Sequence, residues 1–307
     1  MGKPLRAYNP TIVTDDDLAM NSKTTIQSDS VIANNPIGVL DSGVGGISVL
    51  KHIHALLPNE QLLYVADSKY APYGNKTPEQ IQSRCFEIAD FLIAKDAKAL
   101  VVACNTATAA AIDVMRAKYT LPIIGMEPAV KPAAAATKNG IIGVLATVGT
   151  LKSAQFAALL ESYGRNVKVV TQACVGLVEC IERGELNNES TLQLIKQYCQ
   201  PLLDEGADTI VLGCTHYPFV KALIEQVAGA EIVLIDTGAA VAKQLQKRLL
   251  ALDLLAGNGI CNQTSSVAFW SNSELTNAKQ VISQLWNAPA ASIDFSYYKR
   301  NLAHQIV

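Results

Sequence analysis

Four segments of this chain occur twice, in the same order. "IGVLDSGVGG" (37–46) is echoed by "IGVLATVGT" (142–150), and "YVAD" (64–67) by "VVTQ" (169–172). "DAKALVVACNT" (96–106) matches "GADTIVLGCTH" (206–216), and "IIGME" (123–127) matches "VLIDT" (233–237). The offset stays between 105 and 110 residues throughout. A pattern repeated in order at a near-constant spacing restricts the fold to two similar units.

Within each unit, apolar runs alternate with helical patterns. The runs lie at 36–41, 61–67, 99–104, 121–127, 140–146, 166–172, 209–214 and 231–237. Most are continuously apolar, as parallel strands covered on both faces require. Thr77-Pro78-Glu79-Gln80 predicts one helix start: a Thr cap, Pro in the first turn and Gln three residues on. The alternation is βαβ, so the class is α/β: two similar, pseudo-symmetric domains, each a mostly parallel sheet flanked by helices. The expected division is 36–127 for the first domain and 128–236 for the second. The segment 237–307, a helix-like stretch and a polar tail, is expected to return onto the first domain. Residues 1–35 lack periodicity and are expected to form a disordered arm.

Composition narrows the function. Half of the residues are hydrophobic (50%), enough for more than one core, and the formal net charge is -2. There is no basic field, and no Lys/Arg cluster with interleaved aromatics, for nucleic acid or anionic lipid. No apolar run reaches the roughly 18–20 residues of a membrane span, and the polar start lacks a secretory plan. The expected compartment is the cytoplasm. Seven cysteines without a CxxC pair, and four histidines, support neither a disulfide framework nor a zinc site.

Two of those cysteines stand out. Cys104 and Cys214 end the third strand of each repeat, and a polar pair follows each: Asn105-Thr106 and Thr215-His216. Parallel sheets bind ligands beyond the carboxyl ends of their strands, so two facing units would place two thiols on opposite walls of one cleft. A helix N-terminus after each stabilises anions, can lower a thiol's pKa and can hold a carboxylate. Two bases on opposite faces suit inversion at a stereocentre. One thiolate removes a proton and the opposite thiol returns one to the other face. Packing is the competing reading for any single cysteine, and it is the reading for Cys85, Cys174, Cys180, Cys199 and Cys261, which lack this setting.

"IGVLDSGVGGISVL" (37–50), "VADSKYAPYGNKT" (65–77), "VVACNTATAA" (101–110), "GVLATVGT" (143–150) and "VLGCTHYPF" (211–219) together resemble the glutamate racemases of the cofactor-independent aspartate/glutamate racemase superfamily. The likeness runs from 37 to about 240 and leaves out the N-terminal arm and the tail after about 255. It implies interconversion of L- and D-glutamate in an interdomain cleft, without pyridoxal phosphate or metal, with D-glutamate feeding peptidoglycan synthesis. Cys104 would be the base toward D-glutamate and Cys214 toward L-glutamate. Asp41 and His216 would assist them, with Glu182 as an acidic partner for which Glu179 competes. The implied substrate contacts are Ser42, Tyr73, Gly74, Asn105, Thr106, Thr147, Thr150 and Thr215. A homodimer is implied as well, and relatives with N-terminal extensions suggest a peptidoglycan-precursor nucleotide as effector. The chain departs from the family pattern at Ala146, where Gly is usual.

Other readings share these residues. "SGVGG" is Gly-rich but lacks the spacing and lysine of a phosphate loop. Asp41 could cap a helix, and His216 could be a core histidine. A Cys-His hydrolase would use Cys214 and leave Cys104 unexplained. An aspartate racemase would keep both thiols with a shorter acid, and an amino-acid binding module would bind glutamate without proton exchange.

Overall fold

The computed structural model describes residues 32–257 and 266–299. In chain order the strands are β1 (Ile37–Asp41), β2 (Leu62–Ala66), β3 (Ala99–Val102), β4 (Ile123–Ile124), β5 (Ile141–Ala146), β6 (Lys168–Ala173), β7 (Thr209–Gly213), β8 (Val233–Ile235), β9 (Val267–Ser271) and β10 (Asp294–Tyr297). They form two sheets, ordered β10-β9-β2-β1-β3-β4 and β6-β5-β7-β8, with every pairing parallel.

The repeat is visible in this order. The block β2-β1-β3-β4 of one sheet has the order of β6-β5-β7-β8 in the other. The residues paired by the sequence echo are therefore topological equivalents. In β1, Val39 packs on the face covered by the helices Ile47–Leu56 and Gly238–Ala251. Its neighbour Leu40 packs on the face covered by Pro78–Ile93 and Asn105–Lys118. The second sheet is built alike: Leu145, Ile210 and Leu212 meet the helix Glu189–Asp204, and Val144 and Val211 meet Val130–Ala136. Burial on both faces explains why these strands read as unbroken apolar runs.

The predicted start of Pro78–Ile93 is present in full. Gln80 N–H donates to Thr77 Oγ1 at 3.4 Å and Thr77 N–H to Gln80 Oε1 at 3.1 Å. The segment read as a polar tail differs from that expectation, because it contains β9 and β10. β9 pairs with β2 over Leu62–Ala66, extending the first sheet. No helix among the described residues is long and apolar enough to cross a membrane. Cys85, Cys174, Cys180 and Cys199 are buried and free, and Cys261 and most of the N-terminal arm lie outside the described residues.

Candidate active site

Asp41 is the last residue of β1, Cys104 follows β3, and Cys214 follows β7. All three therefore sit at carboxyl ends of strands, where the chain turns into the next helix. Cys104 caps the helix Asn105–Lys118, its Sγ accepting the Ala107 N–H at 3.3 Å. The same Sγ lies 3.7 Å from Ser42 Oγ. Ser42 Oγ–H in turn reaches Asp41 Oδ1 at 3.3 Å. The Asp41 carboxylate is fixed by two backbone donors, Ser42 N–H at 2.7 Å and Gly46 N–H at 2.6 Å.

The second thiol has a matching arrangement with different parts. Cys214 Sγ lies 3.7 Å from His216 Nδ1, and His216 Nε2 lies 2.6 Å from Glu182 Oε1. Each thiol thus stands one group away from a carboxylate, through a hydroxyl on one side and an imidazole on the other. Glu182, and not Glu179, carries the bond to His216.

The electrostatics follow from burial. Asp41 is fully buried, and desolvation raises its pKa to about 6 against the pull of His216 and its two N–H donors. Burial lifts the Cys104 thiol well above its ordinary range. Asp41 adds to this, as does Cys214, while the Ala107 N–H pulls the other way. The helix terminus after Cys104 therefore acts in the expected direction but does not bring the thiol toward neutrality. Burial also opposes a charged His216, yet Cys214 and Glu182 outweigh it and hold the imidazole's pKa well above the usual value. A raised thiol does not by itself mark Cys104, since burial, with Asp67 adding, pushes Cys85 up to about 12 and burial pushes Cys199 up to about 11; the hydroxyl and carboxylate beside Cys104 do.

Several polar groups sit on the turns beyond the strand ends. Thr106 and Thr147 hydroxyls are 2.8 Å apart, and both reach Thr150 Oγ1, at 3.2 and 3.0 Å. Asn105 is buried, and neither its Nδ2 nor its Oδ1 has a hydrogen-bond partner among the described residues. A buried amide left unpaired costs free energy. Thr215 is buried, and its carbonyl accepts the Ser48 hydroxyl at 2.8 Å. Gly74 meets the second half, where a Cβ on it would come within 2.9 Å of the Thr147 Cβ. Tyr73 turns its hydroxyl onto Asp67, so its side chain braces its own loop.

Two contacts were not foreseen from the sequence. A Cβ on Gly43 would fall 1.9 Å from Glu182 Oε1, and one on Gly45 2.2 Å from His216 Nδ1. Gly43 and Gly45 of "SGVGG" are the bare surface on which the Glu182–His216 pair lies. The density of glycine in that loop was the available signal.

The Asp/Glu/Hydantoin racemase family matches residues 37–245. The chain belongs to this family. It is 55% identical over 252 residues to a glutamate racemase of Pseudomonas entomophila, covering 82% of this chain and 94% of the relative. Its fold is that of a glutamate racemase isoform from Bacillus anthracis, with a TM-score of 0.77, 33% identity and coverage of 86% of this chain and 97% of that one. The Escherichia coli glutamate racemase, solved with L-glutamate and the activator UDP-MurNAc-Ala, has a TM-score of 0.74 at 29% identity, covering 86% of this chain and 97% of that one.

Proposed function

We propose that this racemase interconverts L- and D-glutamate through Cys104 and Cys214, without a cofactor, and so supplies D-glutamate to peptidoglycan synthesis. The observation that carries the reading is the pair of thiol–relay–carboxylate rows at equivalent ends of two matching sheets. The rows differ in what they hold at rest. An imidazole can keep a whole proton, and the pull of Cys214 and Glu182 favours the charged form of His216. A serine hydroxyl cannot, so Cys104 rests as a thiol. That is the state needed to receive L-glutamate. Cys214 removes the α-proton, and Cys104 delivers its own proton to the opposite face. To act on D-glutamate, Cys104 passes its proton through Ser42 to Asp41 and His216 gives one to Cys214, so that Cys104 is the base and Cys214 the acid. General acid–base catalysis of this kind is worth about 10²–10⁴-fold, so oriented donors and exclusion of water must contribute as well.

The same reading gives the substrate its contacts. Asn105, the hydroxyls of Ser42, Thr106, Thr147, Thr150 and Thr215, and the turn at Tyr73-Gly74 offer neutral donors to two carboxylates. The fourteen-residue helix Asn105–Lys118 adds its N-terminal N–H groups. The sheets support the division into 36–127 plus 237–307 and 128–236. A homodimer and a peptidoglycan-precursor nucleotide as effector belong to the same proposal, the latter because the E. coli relative was solved with one.

The row Cys214–His216–Glu182 also has the form of nucleophile, base and orienting acid. A hydrolase reading would leave Asp41–Ser42–Cys104 without a role. The two readings part on single substitutions: Cys104→Ser and Cys214→Ser should each lower racemisation by more than about a thousandfold. Wild-type turnover in either variant would end the two-thiol reading.

A further inference from the structure

Glu182 is held from both halves of the molecule. It ends the helix Leu177–Glu182, packed with the second sheet, and bonds His216 of the same half. Its other contacts cross over. Val44 N–H donates to Oε1 at 2.7 Å, and the Ser68 hydroxyl donates to Oε2 at 2.8 Å.

Ser68 is itself pinned on both sides. Its neighbour Asp67 is fully buried and accepts Arg84 Nε at 2.9 Å and Nη2 at 2.7 Å, along with the Tyr73 hydroxyl and the Asn272 amide. Its other neighbour, Lys69, donates its N–H to Asn272 Oδ1 at 2.9 Å. A buried ion pair and a residue just after β9 therefore set where the Ser68 hydroxyl points.

We propose that Ser68 is a positioning residue for the second thiol, fixing across the cleft the carboxylate that orients His216 beside Cys214. This rests on the two-thiol reading. The last torsion of a glutamate is soft, and an anchor on Oε2 keeps Oε1 turned to His216. The Cys104 row closes within the first half, through Ser42 and Asp41, and makes no use of Ser68. The effect of losing the hydroxyl is therefore one-sided.

The experiment compares wild type, Ser68→Ala and Ser68→Thr on both enantiomers, with hydrogen or deuterium at Cα. L- and D-glutamate have equal free energies, so kcat/KM must fall equally in both directions. The asymmetry shows in the isotope effects. Ser68→Ala should lower kcat/KM about tenfold, mostly through kcat. The isotope effect should rise from L-glutamate, where Cys214 takes the labelled atom, and shrink from D-glutamate. Ser68→Thr should recover most of the rate. A Ser68→Ala enzyme with wild-type kcat/KM, or a loss with unchanged isotope effects and no rescue by Thr, overturns the proposal. Absence of racemisation in the wild type would instead remove the two-thiol reading and this inference with it.

Discussion

At the scale of single residues, the two thiols differ in their helpers, and Asp41 makes that difference measurable. Its pKa is raised to about 6, so it is ionised above that pH and neutral below it. A neutral Asp41 cannot take the proton passed on by Ser42. The kcat/KM profile should therefore fall as pH drops through about 6. Asp41→Asn should remove that limb and lower the plateau by about a hundredfold. Stability has the opposite sign. A carboxyl whose pKa is raised in the fold favours folding below its ordinary value of 3.8, and that contribution is lost as pH rises through about 6. Urea unfolding of Asp41→Asn across this range should show a flatter pH dependence than wild type. Asp41 and Ser42 were legible in the sequence by resemblance, and the thiols by their place in the repeat. The row that joins them was not, because side chains 62 residues apart in sequence meet only in the fold.

At the scale of elements, the turn after β1 does more than connect. It leaves no side chain at Gly43 and Gly45, so that Glu182 and His216 from the other half can lie against its backbone. Gly45→Ala puts a methyl group 2.2 Å from His216 Nδ1, and a ring held at both nitrogens has little room to yield. That variant should fold, lose about 1–3 kcal/mol of stability and lose at least tenfold in kcat/KM. Gly257→Ala, where an added Cβ meets nothing within 4 Å among the described residues, is the matched control and should behave as wild type. The central strands of both repeats were readable because β1, β3, β5 and β7 are buried and carry apolar runs. β9 and β10 were not. "VAFWS" and "DFSY" are only partly buried; β9 is a strand because β2 offers an open edge, and β10 because β9 offers the next.

At the scale of the whole molecule, β9 and the turn after it tie the later part of the chain to the site. Asn272 follows β9 and reaches back to Asp67 and Lys69, beside the Arg84–Asp67 ion pair. Arg84→Met leaves a carboxylate at 0% exposure without its countercharge and should cost about 3–5 kcal/mol, read as a lower melting temperature. The two-fold repeat was the most legible property of the sequence, and it carries the central claim: two equivalent strand ends present two thiols for one proton exchange. The most direct measurement places the protein, with reduced thiols and a chelator but no cofactor, in deuterated buffer with L-glutamate. The α-proton is followed by NMR together with the optical rotation. The expected result is loss of the α-proton signal as rotation decays to zero. A folded protein that leaves both signals unchanged from L- and from D-glutamate would contradict the claim.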